Sequence, residues 1–456
     1  MNKERKTFSR FARAFSLPWR AGMIVGLAVL LLANFSSANG INRNGSGARS
    51  MAMGGASVAD RDDYFASMAL NPSLLSYVDG VDLSIGVVGA LAEGTFDNGS
   101  DRLGYLDDRG GAFPEVVLRS SLGSNLGLGF SLVPEEIRIA DWVYEDLPGG
   151  IDGDTSYGSR THRSEILGVR AAVGLGWQVT DTLSIGVSGG AVYNQNRLKA
   201  PYIFQSHPAL AGFKTLLDLE TDGVGLNGDI GLTWEVTKSL TVGLSYRTPT
   251  RISTEGTARG DIGEQLASLG LDQVPSTFAY RAEVENEFPQ SATGGISWQV
   301  TEKTRVAFQV DWIGWERAFD NLTVNLSDGT NESINGLLGS DEIVDSVPLD
   351  WDDQFVYRAG IEHRLSEEWA LRLGYSYGKA PMPTSTTTPM TAAISEHTVG
   401  VGVGYARGPY RVDLSYQWDL PATQQLSDSR ILSGEYKNSK VGLEAHWLAL
   451  TVGYDF

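Results

Sequence analysis

The sequence predicts an all-β protein: a roughly fourteen-stranded antiparallel transmembrane β-barrel with an N-terminal plug, or hatch, inside its lumen. Three observations carry that prediction. From Val81 onward apolar and polar residues alternate with period two, as in Arg411-Val412-Asp413-Leu414-Ser415-Tyr416-Gln417-Trp418. A tryptophan beside a tight polar turn recurs along the chain. The last residues, Leu448 to Phe456, place Leu448, Leu450, Val452, Tyr454 and Phe456 on one strand face. A soluble sandwich also alternates, but its apolar faces meet in one shared core. A membrane barrel turns the apolar face to lipid and the polar face to the lumen.

The first element is a leader. Lys3, Arg5, Lys6, Arg10, Arg13 and Arg20 form a basic stretch ahead of the apolar run AGMIVGLAVLLLA, residues 21–33. Ser36-Ser37-Ala38 supplies small residues for cleavage, so residues 1–38 read as a secretory signal peptide. A membrane anchor is the competing reading, and the short apolar run disfavours it. Without the leader the chain keeps 30 Lys and Arg against 54 Asp and Glu, a net charge of −24. An acid excess of that size argues against nucleic acid as a partner. The 456-residue chain has no cysteine, so it has no disulfide, thiolate metal site or thiol nucleophile. Its mean hydropathy of −0.14 does not fit a bundle of membrane helices.

Residues 39–80 differ from everything after them. They are rich in Gly, Ala and Met and show no alternation. A barrel of this size encloses more space than its own side chains fill, so this stretch is expected to be the plug. Gly54-Gly55 and the Gly45/Gly47 pair allow tight backbone paths. Arg49, Asp60, Arg61, Asp62 and Asp63 can pair with a polar lumen wall. A disordered tail would not be expected to carry Met51, Met53, Tyr64, Phe65 and Met68.

The barrel follows, over 81–456. Its strands are expected at 81–95, 111–122, 125–139, 163–179, 182–198, 222–236, 239–255, 279–300, 303–318, 352–365, 368–380, 394–406, 409–420 and 439–456. Short turns repeat a motif: Trp177-Gln178-Val179-Thr180-Asp181, Trp234-Glu235-Val236-Thr237-Lys238, Trp298-Gln299-Val300-Thr301-Glu302, and more loosely Trp369 after His363-Arg364-Leu365-Ser366. Tryptophans there suit an interfacial girdle, and turns that short suit the periplasmic end. Long connections alternate with them at Ala140–His162, Lys199–Asp222, Gly256–Phe278 and Phe319–Asp350, as outer loops would.

Taken in order, these residues resemble the FadL family of outer-membrane transporters for long-chain fatty acids and aromatic hydrocarbons. Gly47-Ala48-Arg49, Met53-Gly54-Gly55-Ala56 and Asn71-Pro72 are similar to the family's hatch with its Asn-Pro-Ala motif; Ser73 stands where the family has Ala. Val242-Gly243-Leu244-Ser245-Tyr246-Arg247-Thr248-Pro249 resembles its mid-barrel strand. Phe288-Pro289, Trp298, Asp311-Trp312-Ile313-Gly314-Trp315, and Phe355 through Tyr357-Arg358, Gly360 and Trp369 to Arg372 and Gly374-Tyr375 resemble the hairpins that follow. The resemblance implies a Gram-negative outer-membrane barrel that takes up hydrophobic compounds by passive diffusion. Outer loops would catch the substrate, a hatch carrying Gly54, Gly55, Asn71 and Pro72 would shift, and exit would be sideways near a kinked third strand. It implies no cofactor. Lipid bilayer, lipopolysaccharide and, through the strand ending in Phe456, the barrel-assembly machinery would be its partners, and the protein is expected to be a monomer.

Two loop segments have apolar residues at helical spacing. Leu210, Phe213 and Leu217 recur at i, i+3, i+7, and Ile262, Leu266 and Leu269 at i, i+4, i+7. They read either as a substrate-catching groove or as two short helices packed on each other as a lid. The remaining outer loops are acidic, which favours divalent-cation contacts with lipopolysaccharide. Pro134 interrupts the third strand; proline cannot donate to the ladder, so there is either a break, a candidate lateral opening, or the end of the strand. Arg170, Arg247, Arg358 and Arg372 lie within strands, and charge on the lipid face is costly, so they are expected to turn inward. They would pair with plug or wall acids, or meet a substrate carboxylate.

Enzyme signatures are weak. Gly186-Val187-Ser188-Gly189-Gly190 matches G-x-S-x-G without the strand-to-helix elbow. Gly223-Val224-Gly225-Leu226-Asn227-Gly228 matches G-x-G-x-x-G without its βα context. The histidines show no metal-ligand spacing, so no catalytic or metal residue is expected. A phospholipase-type barrel enzyme and a purely structural or adhesive barrel are the alternatives to transport.

Overall fold

The structure, a computed structural model, describes residues 42–107, 111–432 and 436–456. The expected signal peptide lies outside the described residues.

The chain forms a closed antiparallel barrel of fourteen strands. In chain order they are β1 Val81–Asp97, β2 Gly111–Ser121, β3 Leu126–Asp146, β4 Gly158–Gln178, β5 Leu183–Ile203 and β6 Lys214–Thr237. Next come β7, split into Leu240–Arg247 and Thr250–Asp261, and β8, split into Thr277–Phe288 and Ser291–Gln299. β9 runs Thr304–Ile313 and resumes at Asn321–Ser327; β10 runs Ile343–Pro348 and then Gln354–Arg364. β11 Trp369–Gly378, β12 His397–Arg407, β13 Tyr410–Leu426 and β14 Ser439–Asp455 complete the wall. Closure is direct: β14 pairs with β1 from Asp82↔Asp455 to Asp97↔Lys440, so the first and last strands leave no free edge to aggregate or to stand unsatisfied in lipid.

Alternation explains which face meets lipid. Val173, Leu175, Val187, Ile230, Leu244 and Leu450 are exposed in a band around the outside. Trp177, Trp234, Trp298 and Trp369 stand about half exposed beside the short turns. A lipid-facing belt flanked by aromatics is what the bilayer selects. No helix among the described residues is long and apolar enough to cross a membrane; the crossing is made by strands.

Residues 42–80 fold inside the barrel. Helices α1 Gly47–Ala52 and α2 Ala66–Ala69 precede a 3₁₀ turn at Pro72–Tyr77. Helix α1 packs on β11 to β14 and β1, whereas the 3₁₀ turn packs on β2 to β6 across the lumen. Where plug backbone lies on the wall, the wall residue is glycine. A side-chain carbon at Gly127 would sit 1.8 Å from the Leu75 carbonyl oxygen, and one at Gly374 would sit 2.0 Å from the Gly54 nitrogen. Gly54 itself has φ +66°, a conformation other residues adopt at a cost. Much of the glycine content is therefore a smooth inner surface on which the plug is seated.

The structure revises the long connections. β3 to β7 continue as paired ladders well past the expected strand ends, so Ala140–His162 and Lys199–Asp222 are largely strand. In the outer part of β6 the polarity of the faces reverses: Leu217 and Leu219 turn into the barrel and Asp218 and Glu220 turn outward, so the lipid-facing alternation that marks a strand in the bilayer is lost. Phe319–Asp350 holds the hairpin Asn321–Ser327 with Ile343–Pro348, and helix α4 Glu332–Leu338 at its tip. The expected strand 303–318 stops at Ile313, and Trp315–Ala318 is helical. Pro249 and Pro289 split β7 and β8 at adjacent positions, as residues lacking a donor must.

Candidate functional site

The lower lumen is filled by the plug and held by charge. Arg49 reaches Glu362 at 2.6 Å and Asp60 at 2.9 Å, Arg305 reaches Asp60 at 2.5 Å and also pairs with Asp62, and Arg61 reaches Glu235 at 2.7 Å. All four strand arginines turn inward. Arg170 and Arg247 share Asp229 at 2.7 and 2.6 Å, and Arg247 also holds Glu135 at 2.7 Å. Arg247 Nη2 donates to the Ala69 carbonyl at 2.8 Å. Arg358 pairs with Asp311 at 2.5 Å and donates to the Gly54 carbonyl at 3.2 Å. Arg372 bridges Glu362 at 2.7 Å and Asp413 at 2.6 Å. Each guanidinium is satisfied by wall acids or plug carbonyls, so these residues seat the plug.

Asn71 is the centre of that seat. It is fully buried. Its amide donates to the Val58 carbonyl at 2.7 Å and to Thr233 Oγ1 at 3.2 Å. Its oxygen accepts from Ser73 N at 3.1 Å and Ser73 Oγ at 2.6 Å, capping the 3₁₀ turn in which Pro72 is the first residue. Ser73 in turn bonds Thr233 at 2.6 Å. The serine that stands in the alanine position thus adds a plug-to-wall bond. A side-chain carbon at Gly55 would lie 2.5 Å from Arg358 Nη1, and one at Gly54 2.6 Å from Tyr375 N, so neither position has room for one.

The wall is interrupted beside the plug. β2 pairs with β3 only from Val116↔Leu132 to Ser121↔Gly127. Beyond it, β3 meets the short segment Gly104–Leu106 at Leu106↔Trp142. Between these points, residues 133–141 of β3 form no ladder with β2 among the described residues. On the other side of β3 the register shifts between Pro134 and Glu136, leaving Glu135 as an extra residue. β3 does not end at Pro134; it is bulged there and runs on to Asp146. The start of the plug occupies the interruption. Asn42 bridges to Glu136, Arg43 N donates to the Glu135 carbonyl at 3.3 Å, and Arg43 Nη1 donates to the Pro134 carbonyl at 3.0 Å and pairs with Glu115.

Above the plug, at the long-loop end, lies an apolar chamber of about 1800 Å³ including its open mouth. Leu198, Leu217, Phe288, Phe319, Leu322 and Trp351 typify its lining. Trp315 packs edge-to-face on Phe319 and Trp351, and Phe319 lies tilted against Trp351, with centroids 4.6 to 5.1 Å apart, an aromatic cluster on one side. Arg138 lines it from β3, four residues past Pro134.

The six loop residues are placed differently from the expectation. Residues 208–212 form turns and β6 begins at Lys214, so no helix spans Leu210 to Leu217. The helical spacing there is accidental, because β6 reaches further out than its alternation shows. The second segment is helical, α3 at Gly263–Ser268. Leu217, Ile262 and Leu266 are buried in one apolar cluster, with Leu210 and Phe213 packed against it, whereas Leu269 is exposed outside it. Only Leu217 of the six borders the chamber. Leu210, Phe213, Ile262 and Leu266 form packing behind the chamber wall, and Leu269 takes no part in it. Asp152, in the loop after β3, ties that loop to α3: hydrogen bonds from Ser268 and Gln265 hold its carboxyl down at about 2.

A plugged β-barrel with a lipid-facing belt, an apolar chamber over the plug and a bulged, partly unpaired strand beside it defines a class: outer-membrane transport barrels. Residues 29–456 match the model of the family described as outer membrane protein transport protein (OMPP1/FadL/TodX), and the chain belongs to that family. Solved structures share its fold. A FadL homologue of Pseudomonas aeruginosa superposes with a TM-score of 0.71 at 14% identity, over 91% of this chain and 100% of that one. The toluene transporter TodX of Pseudomonas putida gives 0.73 at 20% identity over 91% and 100%. The toluene transporter TbuX of Ralstonia pickettii gives 0.70 at 19% identity over 91% and 99%. No curated protein matches the chain.

Proposed function

We propose that this protein takes up hydrophobic compounds, long-chain fatty acids or aromatic hydrocarbons, across the outer membrane of a Gram-negative cell by passive diffusion. The observation that carries the reading is the apolar chamber at the long-loop end, bordered through Arg138 by the unpaired stretch of β3, in a barrel whose lower lumen holds the seated plug. A hydrophobic molecule entering from outside finds apolar walls, and a polar solute finds a blocked lumen. Displacement of Asn42 and Arg43 would connect the chamber to the gap at Pro134, giving a sideways exit into the bilayer. Gly54, Gly55, Asn71 and Pro72 would govern how readily the plug moves.

No covalent step is part of this reading, and the chain acts as a carrier, not an enzyme. Ser188, the serine of the G-x-S-x-G match, donates to Asp229 at 2.5 Å and accepts from Arg170 at 3.1 Å within the wall network; it has a structural use. Export by a cleaved 1–38 leader, assembly through the strand ending in Phe456, contact of acidic outer loops with lipopolysaccharide, and a monomeric state complete the proposal. A deletion strain tests it: restored uptake of labelled fatty acids or monoaromatics on complementation supports transport. Unchanged uptake across the panel would leave the structural-barrel alternative.

A further inference from the structure

On the outside of the barrel, two neighbouring hairpins repeat one side-chain arrangement. In β11 and β12 the Tyr375 hydroxyl lies 2.7 Å from His397 Nδ1, and the His397 ring stacks on Tyr377, directly across the ladder, with centroids 4.9 Å apart. In β13 and β14 the Tyr416 hydroxyl lies 2.7 Å from His446 Nδ1, and His446 stacks on Trp418, directly across the ladder, at 6.1 Å. These side chains share the lipid-facing parity of Leu371, Val401, Leu414 and Leu448. With the hydroxyl donating to Nδ1, Nε2 carries the imidazole hydrogen and has no partner among the described residues. Both rings stand toward the long-connection ends of their strands. His397 opens β12, and Trp418, beside His446, lies most of a membrane crossing beyond the short turn at Gly408-Pro409. They are therefore level with the headgroups of the outer leaflet. Toward the periplasmic side of them runs an apolar groove of about 1050 Å³ including its open face. It exists because β12 presents only Val401 and Val403 there, between Leu371 and Leu373 of β11 and Leu414 and Tyr416 of β13.

We infer that this outer face of β11 to β14 is a binding site for lipopolysaccharide, with an acyl chain in the groove and the phosphates of its lipid on His397 and His446. The inference rests on the lipopolysaccharide contact proposed above and places it on the wall, apart from the chamber, the plug and the acidic loops. A phosphate accepts from the free Nε2 hydrogen, and its charge favours the imidazolium and strengthens the bond. The two rings stand roughly 12 Å apart, two strand spacings across the sheet and two residues along it. That span suits a disaccharide headgroup carrying a phosphate at each end, whereas a glycerophospholipid brings one phosphate and occupies one ring. Glu93 and Glu444 face each other across the β1–β14 ladder, on the outer side of Leu91 and His446. Facing carboxylates repel a bare phosphate. The divalent cations that accompany lipopolysaccharide turn that repulsion into a bridge between carboxylate and phosphate oxygens.

Full-length mature protein in detergent with magnesium is titrated with bisphosphorylated lipid A and with phosphatidylglycerol, and occupancy is read by native mass spectrometry. Wild type is compared with the double variant His397→Phe/His446→Phe, which keeps the stacked rings and removes the nitrogen donors. Wild type is expected to bind lipid A about tenfold or more tightly than the double variant, the worth of charge-assisted hydrogen bonds at a membrane interface. Phosphatidylglycerol should bind both proteins alike, and more weakly than lipid A binds wild type. Val401→Phe, which fills the groove and leaves both histidines in place, should also weaken lipid A several-fold. Unchanged resistance of the barrel to unfolding in sodium dodecyl sulfate shows that each variant is folded. Equal lipid A affinity in wild type and the double variant would overturn the site while leaving lipopolysaccharide contact elsewhere on the barrel. Wild type that binds phosphatidylglycerol as tightly as lipid A would overturn the choice of lipid. Failure of wild type to bind lipid A would overturn the lipopolysaccharide contact together with the site.

Discussion

Replacing Asn71 by alanine is the sharpest probe of how the plug is held. The substitution removes the cap of the 3₁₀ turn, which costs about 0.5–2 kcal/mol at helix starts. It also leaves the buried Val58 carbonyl without its 2.7 Å donor, at roughly 1–3 kcal/mol. Ser73 Oγ keeps Thr233 as a partner and offsets part of the loss. About 2–4 kcal/mol is then withdrawn from plug seating, while the barrel ladders are untouched. The plug-open population should rise by roughly thirtyfold to a thousandfold. Amide hydrogen exchange in lipid nanodiscs reads this directly: protection of residues 47–77 should fall by that factor, with β11 to β14 unchanged. Plug amides that exchange at the wild-type rate would refute the idea that Asn71 holds the plug, and uniform loss of protection across the strands would show that it stabilises the whole barrel instead.

Other predictions test neighbouring parts. Gly374→Val forces a side chain into the space of the Gly54 backbone, so the plug must shift and reconstituted vesicles should admit small sugars that wild type excludes; tight vesicles would speak against close seating. Deleting Glu135 removes the extra residue of β3 and lets its ladder run straight, so uptake should drop several-fold, with a lower thermal midpoint as well because Arg247 loses its 2.7 Å partner; normal uptake would detach the bulge from the route. Arg247→Met leaves both Glu135, at 4.0 Å, and Asp229 to Arg170 alone, at a cost of about 3–5 kcal/mol, visible as a lower unfolding midpoint in denaturant. N-terminal sequencing of exported protein should begin at Asn39; a retained leader would favour the anchor reading.

The transmembrane part was legible because the bilayer imposes its pattern on sequence. Leu371 to Tyr377 and Arg411 to Trp418 alternate since one face meets lipid, and Trp177, Trp234, Trp298 and Trp369 mark the interface beside each turn. The plug was legible as an interruption of that pattern, and the four inward arginines followed from the cost of charge in lipid. What lies beyond the bilayer was not. Lys214 to Thr221 is strand, yet its neighbours are loops on one side and the chamber on the other, so a helical spacing of Leu210, Phe213 and Leu217 arose by chance. Phe288 and Leu322 come from two strands, and Phe319 and Trp351 from two connecting segments, and no local signal joins them. Arg138 was missed for a different reason. It stands out only because no carboxylate among the described residues pairs with it, and a missing partner has no trace in sequence.

The central claim is that this barrel passes hydrophobic molecules by way of the chamber and the gap at β3, with the plug start as the obstacle between them. Locking that obstacle tests it most directly. A double variant with cysteines in place of Asn42 and Glu136, whose backbones pair across the gap, can be oxidised or reduced in a chain that otherwise has no cysteine. Uptake of labelled dodecanoate and of a monoaromatic by cells should stop on oxidation and return on reduction. Undiminished uptake with the crosslink confirmed by mass spectrometry would contradict the account.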